Sequence, residues 1–283
     1  MTDQRAATLA ADWLGASRRA AEALHDILVE RPTTAERVRE TGTTGHGGDD
    51  TLIIDSDAEA AVFHELERLH EAGARFTAVS EERGEVSFGD PDVVVIIDPI
   101  DGSTNAKRGL PHHSMSIAVA DGPTMADVVF AYVYDYGPEE EWTARRGAGA
   151  FLDGVLLDPA LPERRTAEGR LELLGIESAD PRWVRAAADE LASASHRLRA
   201  LGTIAVTLCQ VAAARLDGMV TIMRTRAVDA AAGQLIVREA GGFVAFTAYD
   251  EPLAAPLDTE PRSPVVAART ASTLDELARI PRV

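Results

Sequence analysis

Cysteine is nearly absent from this chain: Cys209 is the only one among 283 residues. That excludes an internal disulfide framework and leads us to expect a reducing, cytoplasmic setting. Cys209 lies in an apolar helical stretch and reads as a buried structural thiol. Lysine is equally scarce, with Lys107 alone among 28 basic residues. Acidic residues number 46, so the formal net charge is −18. With no basic stripe to neutralise phosphates, a nucleic-acid partner is not expected. No apolar run approaches the ~20 residues that cross a bilayer. The start, Met1 to Arg5, is polar and lacks a signal-peptide core. Neither an internal repeat nor a low-complexity segment is present. What remains is an ordinary globular balance, 46% apolar and 26% charged, in a chain long enough for one or two domains.

The chain is organised around Asp98-Pro99-Ile100-Asp101-Gly102-Ser103-Thr104-Asn105. The β-branched run Val93 to Ile97 leads into it and reads as a buried strand. Pro99 cannot donate to a ladder, so pairing is expected to stop there. Gly102 permits a tight turn and close approach to a ligand. Ser103, Thr104 and Asn105 are helix-start residues whose free N–H groups suit an anion. Two carboxylates beside such a turn point to a hard metal ion bridging to phosphate. The plainer alternative is a strand end with solvated acids.

Residues 3–30 read as one long helix, with Leu9, Trp13, Ala16, Ala20, Leu24, Ile27 and Leu28 at helical spacing. Arg31 to Gly48 reads as a Thr- and Gly-rich loop closed by Asp49 and Asp50, and Thr51 to Ile54 as a short extended piece. A helix is expected from about Asp57 to Ala72. It places Asp55 near its N-terminus, where a simple cap would also explain it, and Glu59 one turn on. Arg75 to Ser80 reads as a strand delivering Glu81 and Glu82 at its end, before a polar loop from Arg83 to Asp90. His112 and His113 are adjacent, so they point apart on extended chain and suit loop packing better than metal binding.

Strands are expected at Ser114–Ala120, Ala126–Tyr134, Glu141–Ala144 and Gly149–Leu152. A boundary in the aperiodic stretch Asp158 to Arg170 divides an α+β domain, 1–157, from an α/β domain, 158–283. In the latter, strands at Leu171–Ile176, Arg197–Leu201 and Asp217–Ile222 alternate with helices at Pro181–Ala192, Thr203–Arg215 and Val228–Ala240. Phe243–Phe246 and Val265–Ala268 read as strands and Ser272–Arg279 as a closing helix. Asp229 opens a helix of small residues, where it serves as a cap or as a further acid for the site.

Together these residues resemble the inositol monophosphatase family of metal-dependent phosphatases. The signatures are Asp98 to Asn105, Val228-Asp-Ala-Ala-Ala-Gly233 and Glu239-Ala-Gly-Gly242. Ser80-Glu81-Glu82 stands in place of the family's Gly-Glu-Glu, and Thr203 in its Gly-Thr/Ser-Ala segment. The resemblance implies a layered α-β-α-β-α sandwich, a homodimer, and two or three Mg²⁺ ions per active site. It implies metal ligands at Glu81, Asp98, the Ile100 carbonyl, Asp101 and Asp229, with Asp55 near a further, weaker metal position. Glu81, Ser103 and Asp55 are the expected catalytic residues, Glu81 and the Ser103 hydroxyl holding the water that attacks phosphorus. Gly102, Ser103, Thr104, Thr203, Arg224 and Arg226 are expected at the substrate. Inositol-specific relatives carry a ring-contacting glutamate where this chain has Ile222. The expected activity is Mg²⁺-dependent hydrolysis of a small phosphomonoester, inositol-1-phosphate foremost. A fructose-1,6-bisphosphatase or other bisphosphatase is the alternative, and a catalytically silent metal- or phosphate-binding protein the third reading.

Overall fold

The run at Val93 to Ile97 alternates between two interiors. Val94 and Ile96 join one apolar cluster, while Val93, Val95 and Ile97 join another. A strand buried on both faces must do this, because successive side chains point to opposite sides. A computed structural model describes residues 3–38, 40–44 and 50–280 of the chain around it. The first half runs α1 (Asp3–Leu9), α2 (Trp13–Glu30), α3 (Thr34–Arg37), β1 (Glu40–Thr44), β2 (Asp50–Leu52), α4 (Ile53–Glu71), β3 (Thr77–Ser80), β4 (Gly84–Ser87) and β5 (Val94–Asp101). It continues through α5 (Ser103–Arg108), β6 (Ser114–Ala120), β7 (Val128–Asp135), β8 (Glu140–Arg145), β9 (Gly149–Leu152) and β10 (Val155–Leu156). The second half runs β11 (Leu171–Glu177), α6 (Pro181–Ala186), α7 (Ala188–Ala194), β12 (Ser195–Arg199), α8 (Ile204–Ala212) and β13 (Gly218–Thr221). It closes with α9 (Ala227–Glu239), β14 (Phe243–Phe246), β15 (Val265–Ala268) and α10 (Ala271–Leu277).

Apart from the β1–β2 pair, the strands form two sheets. The larger is eight-stranded, ordered β10-β9-β8-β7-β6-β5-β3-β4, and antiparallel except where β3 runs parallel to β5. The smaller is five-stranded, ordered β12-β11-β13-β15-β14, with β12, β11 and β13 parallel. Helices α2 and α4 cover the outer face of the larger sheet through Trp13, Leu24, Val62 and Phe63. Between the sheets lie α8 and α9, whose residues are buried almost throughout. The outer face of the smaller sheet is closed by Leu191 of α7 and Leu277 of α10. The layers are therefore α-β-α-β-α, with the central helices apolar over most of their length and so buried between the sheets.

Several sequence expectations are corrected. The helix over 3–30 is broken after Leu9, because Asp12 turns back to accept the Gly15 N–H at 3.0 Å and starts α2 afresh. The helix expected from Asp57 begins at Ile53, which places Asp55 within its first turn. The span 181–192 splits at the buried Ala187 into α6 and α7. The expected polar loop after Arg83 contains β4, paired antiparallel with β3. Within the stretch 31–48, α3 forms on a Thr33–Glu36 capping box; Arg39 and residues 45–49 lie outside the described residues.

Pairing does not stop at Pro99. Strand β5 continues to Asp101, with Asp98 opposite Ser116 of β6 and Asp101 opposite Ser114. Three steps along β5 thus match two along β6, which is a bulge. Pro99 sits inside it, where the ladder needs no N–H.

Candidate metal centre

The bulge builds the site. Asp98 follows Val94 and Ile96 with period two and so faces the central helices. Asp101 is an odd number of residues further on and would face the opposite way in a regular strand. The extra residue restores its side, while Ile100 turns into the outer cluster. Strand β3 reaches the same edge, with Ser80 beside Ile97. Glu81 follows Val79, which packs on the central layer. From that layer the first turn of α9 presents Asp229. Carboxylate oxygens of Asp98, Asp101 and Asp229 all lie within 4.8 Å of one another.

Each acid is held by local bonds. Asp98 Oδ1 accepts the Ile100 N–H at 3.0 Å. Asp101 accepts the Thr203 hydroxyl and the Ala205 N–H, the latter at 2.7 Å, so it caps the start of α8. Asp229 Oδ2 accepts the Arg226 N–H at 3.1 Å, and its Oδ1 the Arg226 Nη2 at 3.2 Å. Arg226 Nη1 also donates to Glu81 Oε1 at 2.6 Å. Burial and the neighbouring carboxylates push Asp98 well above the ordinary aspartate range. Burial and then Asp229 push Asp101 up to about 8. Burial raises Glu81, against the pull of Arg226.

Crowded, buried carboxylates of one sign are costly unless a cation joins them. The donor set is all oxygen, which fits a hard divalent ion such as Mg²⁺ rather than a soft metal.

A narrow cavity of about 50 Å³ opens on this cage, lined by Asp55, Glu81, Asp98, Ile100, Ser103 and Lys107. Lys107 Nζ lies 3.6 Å from Asp55 Oδ2. Two larger cavities, of about 450 and 440 Å³, are both lined by Arg226 and Asp229. Arg224 lines the first of them. Gly102 joins strand to helix at φ 85°, and a Cβ there would stand 3.0 Å from the Gly202 carbonyl oxygen and 3.1 Å from that of His112.

The remaining expected residues divide. Thr203 is buried and its hydroxyl is committed to Asp101, and Thr104 is exposed on α5. Glu59 does not join the cage: its carboxylate accepts from Ser80 and from the Arg83 N–H, bracing the strand that carries Glu81. His112 faces Asp135 at 3.0 Å, and His113 stacks on Tyr136.

Three residues had roles that sequence reasoning missed. Arg226, expected at the substrate, is paired with two of the acids, Glu81 and Asp229. Glu177 is buried and accepts from the N–H groups of Leu201 and Gly202 and from the Thr207 hydroxyl, fixing the loop that carries Thr203. Its signal was an acid at the end of a strand, the feature that marks Asp98. Asn105 donates to the carbonyls of His112 and Leu201, at 2.8 and 2.7 Å, and ties the two halves of the chain across Gly102.

Acids gathered this way over a strand-to-helix turn suit a hard metal ion set against a phosphate. The model of the inositol monophosphatase family matches residues 10–280. A fructose-1,6-bisphosphatase/inositol-1-monophosphatase of Thermococcus kodakarensis is 37% identical over 202 residues, 71% of each chain. A Nus factor SuhB of Pasteurella multocida is 36% identical over 195 residues, 68% of this chain and 69% of that protein. Among solved structures, the extragenic suppressor protein SuhB of Bartonella henselae superposes with a TM-score of 0.73 at 27% identity, covering 94% of this chain and 97% of its own. An inositol monophosphatase-fructose 1,6-bisphosphatase shares the fold, with a TM-score of 0.77 at 23% identity over 95% of this chain and 99% of that one. The chain belongs to the inositol monophosphatase family, and it is a phosphoric monoester hydrolase.

Proposed function

We propose that the chain is a Mg²⁺-dependent phosphatase of a small phosphorylated metabolite. The observation that carries this is the meeting of Asp98, Asp101 and Asp229 with oxygens within 4.8 Å. These three, with Glu81 and the Ile100 carbonyl, are the ligands we assign to the ions, and Asp55 stands at the margin. Bound there, the ions supply positive charge against a dianionic ester and lower the pKa of water. Glu81 and the Ser103 hydroxyl, both lining the narrow cavity, orient the attacking water. Gly102 and Ser103 turn backbone N–H groups toward the phosphate. Positioning and electrostatics supply most of the rate. No covalent phosphoenzyme is required: Cys209 is buried in the core, and the adjacent His112 and His113 are committed to Asp135 and Tyr136.

Inositol-1-phosphate is the first substrate to consider, and a bisphosphate such as fructose-1,6-bisphosphate is the second. Two observations favour the bisphosphate. Arg224 and Arg226 line the cavity of about 450 Å³ beside the cage, and guanidinium matches a phosphate bidentately. Ile222 is fully buried, so it makes no polar contact with a sugar ring. The test is Mg²⁺-dependent phosphate release from both esters by the wild type and Arg224→Ala. A bisphosphatase should lose about tenfold or more in kcat/KM on the bisphosphate and less on the monophosphate. Equal losses would remove the bisphosphate reading, and release of phosphate from neither ester would count against both.

A further inference from the structure

Among the described residues, Arg226 is the one cation paired with any of Glu81, Asp98, Asp101 and Asp229. Its position is unusual in two respects. It spans layers, since Nη1 reaches Glu81 at the end of β3 while Nη2 and the backbone N–H reach both oxygens of Asp229 on α9. It also lines both larger cavities, so the residue paired with the acids also borders the space beyond them. Arginine keeps its charge at every working pH, so it cannot leave the carboxylates by losing a proton. It can only move. Each carboxylate offers about four lone-pair positions, and Arg226 occupies some of those on Glu81 and Asp229, two of the residues assigned to the cation.

We propose that Arg226 is an internal counter-ion that holds the cage when no metal is bound, competes with metal for Glu81 and Asp229, and is released by the metal to grip the anionic substrate. The proposal rests on the reading of the cage as a divalent-cation site and adds a coupling to it. Metal that displaces the guanidinium creates an anion-binding group in the cavity shared with Arg224. By reciprocity, an anion that draws Arg226 away makes the carboxylates more available to metal. Metal and substrate therefore tighten one another's binding through one side chain. In the metal-free protein the arginine also links the larger sheet to the central helix layer.

The test is calorimetric titration of Mn²⁺ or Mg²⁺ into the metal-free full chain, with and without inorganic phosphate, for wild type, Arg226→Gln and Arg226→Lys. Arg226→Gln should bind metal alone about 5- to 10-fold more tightly than wild type, within the usual span of coupling between sites. Its metal-free form should melt at a lower temperature. Phosphate should tighten metal binding in the wild type and do so several-fold less in Arg226→Gln. Phosphate also contacts the metal, so the difference between the two proteins is what reports the arginine. Arg226→Lys, which keeps the charge but loses the fork, should fall between them and serves if the glutamine variant does not fold. Equal or weaker metal binding by both variants would overturn the proposal while leaving the phosphatase reading intact. A wild type that binds neither cation would overturn both.

Discussion

The carboxyl of Asp98 shows what the site costs the fold. It is 2% exposed, accepts one backbone N–H and faces three other acids. An amide keeps the shape and the hydrogen bond but removes the charge. Asp98→Asn should therefore stabilise the metal-free protein by about 1–2 kcal/mol, the usual size for relieving a functional liability. It should also lower activity at least about a hundredfold. Thermal melts in chelator and phosphate-release assays check the two halves separately. Gly102 makes the opposite case. Its left-handed backbone and the two carbonyl oxygens near its missing Cβ leave no room for alanine. Gly102→Ala should cost about 1–3 kcal/mol of stability in a denaturant titration, with loss of activity as Ser103 and Asp101 shift. Both residues stand in the motif that organises the sequence reading, so their importance was legible there. The role of Arg226 was not, because its partners lie 145 residues away in Glu81 and only three away in Asp229. Composition carries no trace of which carboxylates a guanidinium will meet.

At the scale of elements, the bulge in β5 decides the site. The sequence pattern marks a buried strand ending in acids, and the strand is there. Alternation alone would have set Asp98 and Asp101 on opposite faces, and only the register against β6 shows that an extra residue brings them together. Broken helices were hidden for a related reason. A stretch such as 3–30 keeps its apolar period across a cap, and the period does not reveal that Asp12 turns back on Gly15. The loop before α8 is likewise an element-scale device, held by the buried Glu177 through two backbone N–H groups and the Thr207 hydroxyl. Burial pushes this carboxyl up to about 7. Glu177→Ala leaves those donors without their acceptor. It should cost about 1–3 kcal/mol and weaken metal binding through Thr203 and Asp101, measured by unfolding and by Mn²⁺ titration.

At the scale of the whole molecule, the acid cage adds a pH dependence to a chain already carrying a formal net charge of −18. Asp101 is raised from 3.8 to about 8 in the folded protein. Between those values the folded state holds more protons than the unfolded one, so its stability falls as pH rises and levels off above the upper value. Metal-free protein should thus melt higher at about pH 5.5 than at about pH 8.5, and saturating Mg²⁺ should shrink that gap by binding the ionised form. A pair of melting curves, with chelator and with Mg²⁺, measures it. The enclosure of α9 has a consequence of another kind. Its glycine, Gly233, lies so close to Leu208 of α8 that a Cβ would stand 2.7 Å from that side chain, and two sheets flank the pair. The hydrolytic apparatus is thus anchored in the part of the molecule least able to vary. Arg224, Thr259 and Glu260, along the wall of the neighbouring cavity, belong to surface segments free to diverge. Descendants of this architecture can acquire new substrates by rewriting those segments while inheriting the same chemistry unchanged.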